Sequence, residues 1–189
     1  MIQPGNPVFL TLLIIFGISF LVQAFYYLYF YLAPARPQPP EPQVKQESVS
    51  VIICARNEEE NLRKFLPAVL EQDYPDFEVI VVNDCSEDGT DNVLAGFLKT
   101  YPRLRVSNIT RDPKFTHNKK FAQFIGIKAA RNELLLFTDA DCRPESSKWI
   151  GKMASRFEEK TSFVLGYGGY FTGKGLLNRY IRYDCMTIA

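Results

Sequence analysis

The chain has 189 residues, enough for one domain of ordinary size with some to spare. Its 22 lysines and arginines stand against 21 acids, a balance that excludes a general nucleic-acid binder with its basic excess. A hydrophobic share of 47% excludes a disordered chain, and four cysteines at 54, 85, 142 and 185 without a CxxC pair exclude a disulfide scaffold and a zinc ribbon.

No charged side chain occurs before Arg36. Val8–Leu32 is an unbroken apolar run whose most polar member is Gln23, and about 20 such residues suffice to span a bilayer. Its end is aromatic (Phe25, Tyr26, Tyr27, Tyr29, Phe30, Tyr31), as a belt at the lipid–water boundary requires. A signal peptide would need a basic start, a shorter apolar core and a small-residue cleavage site; a buried core helix is rarely this long. The segment is therefore expected to be a transmembrane helix, 8–32. Arg36 and Lys45 on its C-terminal side place the rest of the chain in the cytosol under the positive-inside rule, anchored by a single pass in the cell membrane. A proline-rich linker follows, 33–47, with five of the twelve prolines between Pro34 and Pro42, and is expected to be extended polyproline II.

From 48 to 189, apolar runs of strand length alternate with segments of helical period. Val49–Cys54, Phe77–Val82, Leu104–Ile109, Leu134–Thr138 and Phe163–Tyr167 read as strands. The second and fourth are almost continuously apolar, as in strands buried on both faces. Leu62, Phe65, Leu66, Val69 and Leu70 form one helical stripe, with a kink or early stop expected at Pro67. Val93, Leu94, Phe97 and Leu98 form a second, and Trp149, Ile150, Met153, Ala154 and Phe157 a third. Lys119–Ala130 supplies the remaining crossover, and Gly175–Ala189 reads as a final helix. The order predicts an α/β fold, an open and mostly parallel sheet with helices on both faces.

Ligands in such sheets bind beyond the carboxyl ends of the strands, near the switch in strand order. The first strand ends in Cys54-Ala55-Arg56-Asn57-Glu58-Glu59-Glu60. Asn57 as N-cap with Glu60 three residues on accounts for much of this segment; Arg56, a cation at the mouth, falls outside that account. The second ends in Asn83-Asp84-Cys85-Ser86-Glu87-Asp88-Gly89-Thr90. Ser86, Asp88 and Gly89 are turn and cap chemistry. Asp84 follows a buried strand directly; it either serves the turn or accepts a hydrogen bond from the imide nitrogen of a uracil ring. The fourth ends in Asp139-Ala140-Asp141, and in extended backbone residues i and i+2 point the same way, so both carboxylates can face one Mg²⁺ or Mn²⁺. Lys119 and Lys120, beside the only histidine, His117, open a helix and either reach a diphosphate or form a solvated turn. Cys54, Cys85 and Cys142 read as small buried side chains rather than a thiolate site. No GxxxxGK[ST] loop occurs, and Gly166-Tyr167-Gly168-Gly169 does not open a helix as a dinucleotide fingerprint would.

Three ordered segments, VSVIICARNEEENL (49–62), VIVVNDCSEDGT (79–90) and KKFAQFIGIKAARNELLLFTDADCRP (119–144), resemble glycosyltransferase family 2, the inverting enzymes of GT-A fold. The likeness covers about Val49–Gly169, and a membrane-anchored bacterial member acting on a polysaccharide or lipid-linked glycan is the nearest type. It implies nucleotide-sugar contacts at Ala55, Arg56, Asn57 and Glu58, uracil recognition by Asp84, a diphosphate contact by Lys119, and a metal held by Asp139 and Asp141, with Asp141 the more usual direct ligand. The implied partners are a UDP-sugar donor, a glycan or lipid-linked acceptor and the membrane. The implied reaction is metal-dependent displacement at the anomeric carbon, while a carboxylate base deprotonates the acceptor. Arg56 stands where many members have tyrosine, and Phe124 where asparagine is common. The family's general base normally lies further beyond the DxD than Ala189, so the chain is expected to be a donor-binding half that transfers little sugar alone. Two other readings are a catalytically silent, membrane-tethered nucleotide-binding or scaffolding module and a nucleotidyltransferase, which would need a Gly-rich basic loop where CARNEEEN stands.

Overall fold

A computed structural model describes residues 7–31, 47–110, 118–158 and 160–188. The expected linker therefore lies outside the described residues apart from Glu47, as do His117, Arg36 and Lys45. The chain divides into two units, Met1–Pro40 and Glu41–Ala189.

The first unit contains α1, Pro7–Tyr31. Its 25 residues give a rod of roughly 37 Å at 1.5 Å per residue, longer than the hydrocarbon core of a bilayer. Aromatic rings four residues apart stack on its C-terminal half, Phe25 on Tyr29 at 5.8 Å and Tyr26 on Phe30 at 5.5 Å. By length and composition this helix can cross a membrane.

In the second unit, β1 (Val49–Ala55), β2 (Phe77–Asp84), β3 (Leu104–Ile109) and β4 (Leu134–Asp139) form a parallel sheet in the order β3-β2-β1-β4. The helices are α2 (Glu59–Leu70), α3 (Thr90–Thr100), α4 (Lys119–Ala129), α5 (Trp149–Ala154) and α6 (Leu176–Ile188). Strand alternation sends Val49, Val51, Ile53, Val79 and Val81 to one face. There they meet Leu62, Leu66 and Val69 of α2, Val93 and Leu94 of α3 and Ile150 of α5. Ile80 and Val82 point the other way, onto Ala122, Ile125 and Ala129 of α4. Each such aliphatic side chain contributes about 1.5–3 kcal/mol when fully buried. Both faces are thus covered by helices, as the alternation of strands and helices predicts.

At the N-terminal ends of the strands a polar cluster ties the sheet to the approach to β4. Glu78 accepts hydrogen bonds from the Ser50 hydroxyl (2.8 Å), the Arg105 guanidinium (2.9 Å) and the Arg131 N–H (2.8 Å). Burial opposes the Glu78 carboxylate, but these donors outweigh it and hold the acid below its ordinary range.

Four sequence expectations change. Phe163–Tyr167 is not a strand: it is irregular, with Phe163 and Leu165 exposed by 87% and 93%. Alternation supplies a face but no partner, and the described strands pair only with one another. β4 is half-buried at an edge of the sheet, unlike β2, which is buried throughout. Helix α2 does not stop at Pro67 but continues to Leu70; the missing N–H deprives only the carbonyl of exposed Arg63. Helix α5 ends at Ala154, leaving Phe157 in the following turn.

Candidate functional site

The strand order reverses at β1: β2 and β3 extend to one side of it, and β4 returns on the other. Register places Cys54 level with Val82 of β2 and Asp139 of β4, so three strands end together. Above them opens a crevice of about 290 Å³. Ala55, Arg56, Glu58, Asp84, Lys119, Asp139 and Asp141 line it, with Cys54, Asn118, Ala122 and Ala140. Of the site residues that the family likeness implies, only Asn57 is not among the lining; Lys120, the other cation at the opening of α4, does not line it either.

Asn57 is turned to the neighbouring loop instead. Its backbone is left-handed at φ 57°, a conformation asparagine tolerates, and its side-chain oxygen accepts the Glu87 N–H at 2.7 Å. It does not cap α2. That role falls to the loop after β2: the N–H groups of Asn57, Glu58 and Glu59 donate to Ser86 (2.9 Å), Thr90 (3.0 Å) and Asp88 (3.1 Å). Short-range cap rules miss this because the acceptors lie about 30 residues away.

Asp84 ends β2 and is buried while still reaching the crevice. Lys119 is the first residue of α4, whose N-terminus is fixed by Asn118 accepting the Phe121 N–H at 2.9 Å. Asn118 also lines the crevice and was missed from sequence; an asparagine directly before a helix opening is its signature. The Lys119 ammonium donates to the Asp139 carboxylate at 2.6 Å. That bond raises the lysine above its ordinary range, with burial opposing it and the charges of Asp139, Cys54 and Asp141 adding to it.

Asp139 is the last residue of β4, and Ala140 and Asp141 lie in a turn closed by the Cys142 N–H on the Asp139 carbonyl (3.1 Å). The two acids meet through this turn rather than through extended backbone. One donor atom from each of Asp139, Asp141 and Cys142 lies within 4.8 Å of the others. Two carboxylates so close, opening on a crevice, fit a hard divalent cation that takes its other oxygens from water and phosphate. Gln72, invisible as a site residue from sequence, holds the segment after this turn. It donates to Ser146 O at 2.9 Å and accepts from Ile150 N at 3.2 Å.

Burial raises the Cys54 thiol, with Lys119 opposing and Asp139 and Asp84 adding to it. Burial and then Asp141 raise Cys142. Both therefore remain thiols near neutral pH, but none of the three is buried as expected: Cys54 and Cys85 are half-buried and Cys142 is exposed. The crevice as a whole sets four carboxylates against two cations, Arg56 and Lys119. Such a lining attracts a divalent cation and favours a polyanion only once that charge is in place.

The sequence model described as Glycosyl transferase family 2 matches residues 50–184. Glycosyltransferase AglE of Haloferax volcanii is 33% identical over 141 residues, covering 74% of this chain and 45% of AglE. The probable glycosyltransferase YdaM of Bacillus subtilis is 31% identical over 140 residues, covering 72% of this chain and 33% of YdaM. The chain thus spans less than half the length of these curated relatives. Among solved structures, the mannosyltransferase PcManGT of Pyrobaculum calidifontis, in complex with GDP-Man and Mn²⁺, shares the fold. It matches with a TM-score of 0.62 and 24% identity over 76% of this chain and 42% of its own.

Proposed function

The chain belongs to glycosyltransferase family 2 and has its GT-A fold, and from that premise we propose that the crevice binds the nucleoside-diphosphate end of a UDP-sugar, for inverting transfer to a glycan or lipid-linked acceptor. One observation carries this reading: Asp84, Lys119, Asp139 and Asp141, from three separate segments, open on a single crevice at the strand ends.

Each group has a role its position supports. Asp84 accepts the imide N–H of uracil, and Ala55, Arg56 and Glu58 flank the nucleotide. The N–H groups of Asn57, Glu58 and Glu59 are already engaged by the neighbouring loop, so the diphosphate is met by side chains rather than by them. Lys119, fully charged at neutral pH, offsets the negative charge that builds on the departing diphosphate. Asp139 and Asp141 would hold Mg²⁺ or Mn²⁺. When bound, that ion supplies Lewis-acid stabilisation of the same leaving group. Helix α1 tethers the domain to the membrane, with the domain on the cytoplasmic side.

Calorimetric titration of UDP into the full chain in non-ionic detergent, with Mn²⁺ or with EDTA, tests this. Binding is expected with metal, lost in EDTA and lost in an Asp139→Asn/Asp141→Asn double variant that keeps its fold by circular dichroism. Equal UDP binding by the double variant would overturn the assignment.

A further inference from the structure

The loops after β1 and β2 are joined by five hydrogen bonds running in both directions. The N–H groups of Asn57, Glu58 and Glu59 donate to the side chains of Ser86, Thr90 and Asp88. In return the N–H of Glu87 donates to the Asn57 side chain (2.7 Å) and that of Gly89 to the Glu59 carboxylate (3.1 Å). Each loop turns off its strand through a non-glycine residue in the left-handed region, Asn57 at φ 57° and Cys85 at φ 52°. Such backbone is costly for most residues and persists where its surroundings hold it. Ser86 in turn donates to Asn83 (2.5 Å), which donates to Asp91 at the start of α3 (2.6 Å). The clasp therefore continues into the helix behind it.

These bonds lie beside the crevice rather than in it. Glu58 and Asp84 line the crevice, whereas Glu59, Ser86, Asp88 and Thr90 do not. Thr90 is fully buried, yet its hydroxyl holds the backbone of Glu58. Glu59 grips Gly89, five residues past Asp84. We infer that Thr90 and Glu59 are positioning residues for the nucleotide, setting Glu58 and Arg56 on one loop and Asp84 on the other at a fixed separation without touching the ligand. This rests on the reading of the crevice as a nucleotide-sugar site. Its physical basis is preorganisation: a site whose two walls are already locked together loses less freedom on binding.

The test measures UDP binding with Mn²⁺ by the full chain in detergent, well below the melting temperature of every variant. Thr90→Val keeps the side-chain shape and removes the oxygen that accepts the Glu58 N–H; Thr90→Ser keeps the oxygen. Glu59→Ala removes the acceptor for Gly89, and Glu59→Gln retains one. A net hydrogen bond of ordinary strength predicts a Kd about 3- to 10-fold weaker for Thr90→Val and Glu59→Ala. Thr90→Ser and Glu59→Gln should return to within about twofold of the parent on the same scale. A residue that only supports the fold lowers Tm and leaves the Kd of folded molecules unchanged. If the parent binds UDP and both removals bind equally well, the clasp does not position the ligand and the inference fails while the donor site stands. If the parent does not bind UDP, the donor reading fails, and the inference with it. Should Thr90→Val not fold, the pair at half-buried Glu59, the first residue of α2, decides the matter.

Discussion

Gly126, in the interior of α4, is the point where this helix comes closest to the sheet. A Cβ there would lie 2.5 Å from Ile52 Cγ2 and 3.2 Å from Val82 Cγ2. Carbon contacts settle at about 3.5–4.0 Å, so Gly126→Ala forces helix or strand to give by roughly 1 Å. Overpacking of this kind costs about 1–3 kcal/mol. Replacing glycine by alanine inside a helix contributes about 0.8–1.0 kcal/mol the other way. Gly96 in α3 isolates the two effects, because it is exposed and a Cβ there would meet nothing within 4 Å. Gly96→Ala should stabilise by roughly the propensity alone. The difference between the two variants cancels propensity and leaves the overpacking, about 1–3 kcal/mol. At about 2–4 °C per kcal/mol for a domain of this size, Gly126→Ala should melt several degrees below Gly96→Ala. The single tryptophan, Trp149, packs against the larger core and reports unfolding by fluorescence in urea or on heating. Because α4 begins at Lys119, the same variant should also weaken UDP binding by loosening the Lys119–Asp139 pair. Equal stabilisation by the two alanines would refute the close approach of α4 to the sheet.

Glu78 gives a pH test. Its folded-state pKa is lowered, so its contribution is present above the unfolded value of about 4.3 and disappears as pH falls through the folded value. Glu78→Gln should destabilise by at most about 3–5 kcal/mol near neutrality, less if half-exposed Arg105 regains water. That deficit should shrink as pH falls from 6 to 3; a deficit independent of pH sinks the argument. Lys119→Met should weaken UDP binding, and unchanged affinity by calorimetry would remove this lysine from the diphosphate site. Labelling of exposed Cys142 by a membrane-impermeant maleimide should require permeabilised cells if the domain is cytoplasmic. Labelling in intact cells reverses the orientation.

Much of this was legible in the sequence because it rests on local pattern. The apolar runs of β1 and β2 announced strands, that of β2 one buried on both faces, and Leu62, Leu66 and Val69 announced the helix that covers one face of the sheet. The rule that ligands sit beyond strand ends at the switch pointed to Arg56, Asp84 and Asp139, which share one crevice, whereas Lys119 was singled out by its helix opening and the family likeness. Phe163–Tyr167 shows the limit of pattern, since the same alternation without a ladder partner leaves exposed, irregular chain. The apolar run of β4 likewise carried no mark of its place at an edge.

The sequence by itself determined the apolar span, the alternation of strand and helix, and which charged residues end the strands, because each depends on neighbours a few residues apart. Only the tertiary structure decided what Asn57, Glu59, Asp88 and Thr90 do. Asn57 reads locally as a cap and Asp88 as turn chemistry, yet their partners lie about 30 residues away on the adjacent segment. Hydrogen bonds are directional and short, so which donor meets which acceptor is settled by how two parallel strands align their ends, and strand register is a property of the folded sheet.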